Sequence, residues 1–182
     1  IKKLFNYKPN IFRNTELICS NDMVKYIEKK GYKGILAEGA DHILQGRSPN
    51  FLYKSVSANK MKILLKNYKL SDDIAFRFSD KNWVSYPLTA KKFAKWVNGI
   101  NGNGEVVNLF MDYETFGEHQ WEDKGIFDFL AHLPGELLKH EDNAFLTPSE
   151  VIDKYVSRDV VDMHNIVSWA DIEIDLSAWL GN

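Results

Sequence analysis

The amino-acid sequence predicts an α/β fold with parallel strands, and three observations predict it. Short β-like apolar runs alternate with amphipathic helical segments along most of the chain. The helices carry definite start signals, such as Thr147-Pro148-Ser149-Glu150, where a capping box coincides with proline at the first helical position. The run Val106-Val107-Asn108-Leu109-Phe110-Met111 is apolar on both sides of Asn108, as suits a strand buried on both faces.

In chain order, residues 11–17 read as the first strand. A helix follows with Ser20 or Asn21 as N-cap, Met23, Val24 and Ile27 on its apolar face, and Gly31 as its stop. Residues 32–37 form a short strand ending at Glu38-Gly39. Residues 41–56 read as loop, because Gly46, Pro49 and Asn50 break any period. Residues 62–66 are another short strand, and Ser71 is expected to cap a brief helix carrying Ile74 and Phe78. Thr89 caps a longer helix that turns Phe93, Trp96 and Val97 inward and stops at Gly99. Asn101-Gly102-Asn103-Gly104 then turns into a strand over residues 105–111. Ile126, Leu130, Leu133 and Leu137 share one face of a helix that must accommodate Pro134. Residues 144–146 make the last short strand, Thr147 starts the last helix, and residues 158–168 read as a connector. The sum is several βα units of a barrel or an open sheet, incomplete as given.

The bulk numbers set limits. At 182 residues the chain is long enough for one domain with a substantial core. Its 23 basic and 25 acidic residues nearly cancel and no basic block stands out, so nucleic acid is not an expected partner. No long apolar run is present, and no membrane span is expected in this stretch. Cys19 is the sole cysteine, which excludes an intrachain disulfide framework and a Cys-rich zinc site and favours a cytoplasmic setting. The chain starts at Ile1 and ends on the apolar string Leu176-Ser177-Ala178-Trp179-Leu180-Gly181-Asn182. A fragment cut at both ends is the expectation.

In folds of this kind catalytic groups gather where strands end and loops begin. Glu16, Glu38 and Asp112 meet that criterion, and Asp112 follows the strand expected to be most buried. A carboxyl group at the rim of an apolar strand is partly desolvated, which suits a general acid. A second carboxylate about 5–5.5 Å away would make a retaining glycosidase pair, and a wider gap an inverting one. The structural alternative is an acid that caps backbone or pairs with lysine. Glu114 is a candidate for hydrogen-bonding support. On the loop beyond, His119 could donate to sugar hydroxyls and Trp121 could stack on a sugar ring, against a solvated histidine and an apolar anchor. Tyr53, Trp83, Tyr86, Tyr113, Trp169 and Trp179 also suit sugar stacking, although most are expected in the core.

Glu38-Gly39-Ala40-Asp41-His42 mimics a metal cluster, but two acids and a histidine on adjacent positions are a weak pattern. No metal and no cofactor are expected. No phosphate-cradling glycine pattern follows a strand, no Gly-x-Ser-x-Gly elbow occurs, and Cys19 has no nearby histidine. Residue chemistry alone reaches a barrel-like α/β protein with strand-end acids, compatible with carbohydrate.

Two segments resemble signature regions of glycoside hydrolase family 57, the α-amylase-like retaining enzymes. Phe110-Met111-Asp112-Tyr113-Glu114-Thr115-Phe116-Gly117-Glu118-His119 resembles the family's fourth region, whose first aspartate is the general acid/base; this implies that role for Asp112. Phe12-Arg13-Asn14-Thr15-Glu16-Leu17 resembles the third region, whose glutamate is the nucleophile, and implies Glu16. Thr147-Pro148-Ser149-Glu150, with Trp179 and Asn182, resembles the stretch leading into the family's helical domain.

The resemblance implies part of a distorted (β/α)7 barrel running toward a C-terminal helical region. Residues 1–146 would be the C-terminal portion of the barrel and 147–182 the start of the helical or linker region. It also implies retaining hydrolysis of α-1,4-glucans such as starch, glycogen and maltooligosaccharides by double displacement, without metal. The alternatives are a 4-α-glucanotransferase or branching enzyme of the same family, or a truncated glucan-binding relative without activity. The family's His-Gln-Pro string and second region are absent from this sequence. An expected partner beside the glucan is therefore the missing N-terminal part of the barrel.

Overall fold

The computed structural model describes residues 1–170. The chain divides into two compact units, one built from residues 1–66 and the chain from Leu146 onward, the other from Asn67–Phe145. The first unit opens with α1 (Lys2–Phe5), β1 (Ile11–Arg13), α2 (Asn21–Lys29), β2 (Gly34–Ala37), α3 (Asp41–Leu44), β3 (Leu52–Ser55) and β4 (Lys62–Leu65). The second supplies α4 (Tyr68–Ala75), α5 (Ala90–Asn98) and α6 (Ile126–Leu137), after which α7 (Pro148–Lys154) and β5 (Asp159–Val161) belong again to the first. No helix among the described residues is long and apolar enough to cross a membrane.

In the first unit five strands form one sheet in the order β1-β2-β4-β3-β5. β1, β2 and β4 run parallel, so the chain leaves all three at the same edge of the sheet. β3 is antiparallel to β4 and carries β5 parallel to itself; the sheet is mixed, where parallel strands were expected. Two of its strands lie where the sequence reads as loop and connector. β3 buries Leu52, Tyr53 and Ser55 around an exposed Lys54, too short a pattern to stand out after Gly46, Pro49 and Asn50. β5 lies at the edge and buries only Val161 of its three residues, so hydrophobicity does not mark it.

Local chemistry explains the helices of this unit. Ser20 Oγ accepts from the Met23 N–H at 3.3 Å at the start of α2, which presses Val24 and Ile27 into the core. Burying such side chains stabilises by about 1.5–3 kcal/mol each. Gly31 then takes φ +89°, which ends the helix. At α7 the Thr147 hydroxyl accepts from Glu150 N–H while the Glu150 carboxylate accepts from Thr147 N–H at 2.7 Å. At its other end Lys62 Nζ donates to the carbonyls of Ile152 and Tyr155, satisfying acceptors that a helix terminus leaves open.

In the second unit α5 starts at Thr89, whose hydroxyl accepts from Lys92 N–H at 3.2 Å, and packs against α6. Phe93 and Phe78 meet Phe129 edge-on at centroid distances of 5.8 and 5.2 Å. α6 runs on through Pro134. α4 is capped by Asn67, not Ser71: Asn67 Oδ1 accepts from Leu70 N–H at 3.1 Å, while Ser71 lies inside the helix and donates to the Asn67 carbonyl.

The strand expected over residues 105–111 has no ladder among the described residues, and neither does 144–146. The first segment is held by single bonds: Asn67 N–H to the Asn108 carbonyl at 2.9 Å and Phe110 N–H to Ser71 Oγ at 3.2 Å. Val106 and Asn108 of this segment are buried, and burial alone does not make a ladder.

Candidate active site

β1 stops at Arg13, so the strand expected over 11–17 gives way to a tight turn. Asn14 sets it: its Oδ1 accepts from Thr15 N–H at 3.0 Å and its carbonyl accepts from Leu17 N–H at 3.2 Å. Glu16 is held at φ 55°, ψ 21° and Leu17 at φ 51°. The left-handed region costs a residue with a side chain about 1–2 kcal/mol. Such strain persists only where the surroundings over-determine it. Here Leu17 is fully buried, and the Glu16 carbonyl accepts from both Ser168 Oγ (2.9 Å) and Trp169 N–H (3.1 Å). The Glu16 side chain is fixed by the same neighbour, with Oε2 accepting from Trp169 Nε1 at 2.6 Å.

Around this turn lie the ends of the other parallel strands. Glu38 follows β2 and is 1% exposed. Its Oε1 accepts from Gly39 N–H at 2.7 Å and its Oε2 faces Lys66 Nζ, just past β4, at 3.1 Å. The Trp169 ring has the Arg13 guanidinium 5.1 Å and the Lys66 ammonium 5.0 Å from its centroid, a cation–π arrangement. Residues 168–169 are brought there by the bridge between Cys19 and Val167, with Cys19 N–H bonded to the Val167 carbonyl at 3.0 Å and the return bond at 2.9 Å. The metal-like string is dispersed: Glu38 is buried against Lys66, Asp41 and His42 are exposed on α3, and no group of three potential ligands forms among the described residues.

Asp112, Glu114, His119 and Trp121 share one loop of the second unit, and all four are exposed. Asp112 therefore does not occupy the partly buried strand rim expected from its sequence. It precedes a single 3-10 turn, Tyr113–Thr115, and its side chain makes no cap bond to that turn. The loop is closed by its own backbone. Glu114 carbonyl accepts from Glu118 N–H (3.1 Å) and His119 N–H (3.0 Å), and Gly117 N–H donates to Gln120 at 3.0 Å. Gly117 takes φ +120°, where a side chain would be strained. Buried Thr115 and Gln120 anchor it, Gln120 Nε2 donating to the Ala75 carbonyl at 2.9 Å. Tyr113 and Trp121 are 91% and 64% exposed, so both rings of the loop are open to solvent.

Sequence reasoning missed the surroundings of Glu16. Trp169 figures only among the aromatics, and Arg13 and Lys66 carry no local signal. Tyr53 is core, as expected for most of that set, and Trp83 packs on Trp96 with centroids 5.9 Å apart. Trp179 and Asn182 lie outside the described residues.

With parallel strands delivering acids to one sheet edge, the first unit falls in the class of α/β proteins whose functional groups sit at strand ends. The sequence profile of Glycosyl hydrolase family 57 matches residues 1–164, and the chain belongs to that family. It is 51% identical over 183 residues to a Methanocaldococcus jannaschii protein named "Putative alpha-amylase", matching all of this chain and 38% of that protein. The chain thus spans under two fifths of that relative's length. The crystal structure of 4-alpha-glucanotransferase from Thermococcus litoralis is similar with a TM-score of 0.71 at 20% identity, over 92% of this chain and 26% of that one. That likeness concerns the fold: the chain carries part of the family's (β/α)7 barrel.

Proposed function

We propose that this chain forms part of a retaining glycoside hydrolase acting on α-1,4-glucans, with Glu16 as nucleophile and Asp112 as general acid/base. The observation that carries this is the family match over residues 1–164, which takes in both carboxylic acids and the loop residues Glu114, His119 and Trp121. The name of the M. jannaschii relative agrees with it. In support, Glu16 is fixed through side chain and backbone at a strained turn, as a nucleophile needs to be.

In the first step a Glu16 carboxylate oxygen attacks the anomeric carbon. The bond from that carbon to the glycosidic oxygen breaks, and the Asp112 proton passes to the departing oxygen. In the second step water attacks the same carbon, its proton passes to the Asp112 carboxylate, and the ester bond to Glu16 breaks. Glu114 and His119 would bind hydroxyl groups and Trp121 would stack on a sugar ring. Release to a sugar hydroxyl in place of water is glucanotransfer, and product analysis on a single maltooligosaccharide separates the two.

The test uses the whole polypeptide that carries this chain. Glu16→Gln and Asp112→Asn each lower maltooligosaccharide turnover by about 10³-fold or more while the fold is kept. Full turnover in either variant removes that residue's role. A fluorosugar-trapped glycosyl-enzyme maps by mass spectrometry to the peptide holding Glu16, and a label on Glu38 would overturn the nucleophile. Glucan binding without any turnover in the native polypeptide would leave only the binding function.

A further inference from the structure

We propose that Trp169 is a positioning residue for Glu16, its indole N–H fixing one carboxylate oxygen so that the other faces the substrate. This rests on Glu16 being the nucleophile. The family match ends at residue 164, so Trp169 lies beyond it.

Attack by a carboxylate needs one oxygen aimed at the anomeric carbon, and a glutamate side chain has three rotatable bonds with which to miss. The Trp169 Nε1–H bond to Oε2, at 2.6 Å, removes that freedom at its far end. It is a short, charge-assisted contact. Residues 168–169 also hold the near end, because Ser168 Oγ and Trp169 N–H both donate to the Glu16 carbonyl. One segment therefore grips Glu16 by backbone and side chain together.

The ring is itself fixed. Arg13, at the end of β1, and Lys66, past the end of β4, both lie about 5 Å from its centroid, and Lys66 is tied to buried Glu38. The chain of contacts runs Glu38–Lys66–Trp169–Glu16 and links the ends of β2, β4 and β1. A ring flanked by two cations, with its edge N–H engaged, has less surface to offer a sugar than exposed Trp121.

Trp169→Phe in the whole polypeptide keeps an aromatic ring for both cations and deletes the N–H. The expected result is a kcat on maltooligosaccharides lower by about 10- to 100-fold, since small misplacements of a reacting group have effects of that order. KM stays within about threefold, because ground-state binding is untouched. Trp169→His, which returns a ring N–H, recovers part of the loss.

A second arm separates positioning from substrate contact. In Glu16→Ala, azide attacks the anomeric carbon of α-maltosyl fluoride, a C–N bond forming as C–F breaks and fluoride leaves. Adding Trp169→Phe to that variant leaves the azide rate unchanged, because the carboxylate that Trp169 positions is gone. Wild-type kcat in Trp169→Phe overturns the proposal, as does unfolding of both ring variants or an equal loss of the azide rate. Glu16→Gln assayed alongside keeps the two levels apart. Its full turnover would remove the nucleophile, whereas its inactivity beside a wild-type Trp169→Phe would remove only the positioning role.

Discussion

Replacing Glu16 by alanine and, separately, by glycine isolates the backbone strain at this residue from everything its side chain does. Both variants lose the same carboxylate and the same bond from Trp169 Nε1, so the side chain's own contacts cancel and the folded-state difference lies in the backbone at φ 55°, ψ 21°. Alanine there suffers the left-handed penalty of about 1–2 kcal/mol, and glycine does not. Against this, glycine gives the unfolded chain more freedom, which favours alanine by about 0.4–1 kcal/mol. The remainder predicts that Glu16→Gly is more stable than Glu16→Ala by about 0.5–1 kcal/mol. At an ordinary backbone position the order is reversed. The turn cannot easily relax in either variant, because Asn14 Oδ1 still binds Thr15, Leu17 stays buried, and Ser168 and Trp169 still donate to the residue-16 carbonyl. Urea denaturation of the two proteins, compared at equal m-values, reads the difference as a shift in midpoint. Alanine equal to or more stable than glycine would refute the strained turn, and with it the idea that function holds Glu16 in a costly conformation.

Other substitutions test the frame around this turn. A Cβ added at Gly39 would lie 2.1 Å from the Lys66 carbonyl oxygen, so Gly39→Ala must push β2 and β4 apart where Glu38 meets Lys66. A loss of about 3 kcal/mol or more is expected in urea denaturation, and a loss under about 1 kcal/mol would show that the strand ends separate freely. Thr147→Ala deletes the hydroxyl half of the α7 capping box and should cost about 1 kcal/mol. The Thr147 N–H, and then its hydroxyl, hold the Glu150 carboxyl below its usual range. Its contribution to stability is therefore present above the unfolded value near pH 4.3 and is lost as pH falls through the folded value. The stability gap between the native protein and Glu150→Gln should accordingly close on acidification from pH 6 to pH 3. Burial pushes the Cys19 thiol up to about 12, so iodoacetamide at pH 8 should label it only on unfolding, and rapid labelling of native protein would contradict its placement.

What was legible in the sequence was chemistry that acts over a few residues. Ser20, Thr89 and Thr147 cap the helices they were read to start, because a cap bond spans three positions. β2 and β4 were legible because each holds three apolar residues in a row, Ile35-Leu36-Ala37 and Ile63-Leu64-Leu65. β3 and β5 were not: β3 is four residues long and is a strand through its pairing with β4, and β5 is one through pairing with β3, Tyr53 with Asp159 and Ser55 with Val161, more than a hundred positions away. The segment 105–111 errs the other way. Its β-branched and aromatic residues fit a strand, yet strand propensity states a fit to a half-buried surface and cannot supply a partner.

The two acids divide along the same line. Asp112 stands inside a long distinctive string whose loop closes on itself through residues 114–120, so both its recognition and its local geometry are contained in about ten residues. Its expected burial was wrong because exposure depends on what the loop faces, which no string encodes. Glu16 has a short, ordinary string, and what sets it apart arrives from elsewhere: a turn that traps it at positive φ, an indole from position 169, and cations from the ends of two strands. A glutamate that merely paired with solvent would need none of these. Ordering its backbone and side chain by contacts this remote in sequence costs conformational entropy, and selection tolerates such strain mainly where geometry is used. The physical case for Glu16 as a working residue is thus stronger in the structure than in the sequence, and for Asp112 the reverse holds.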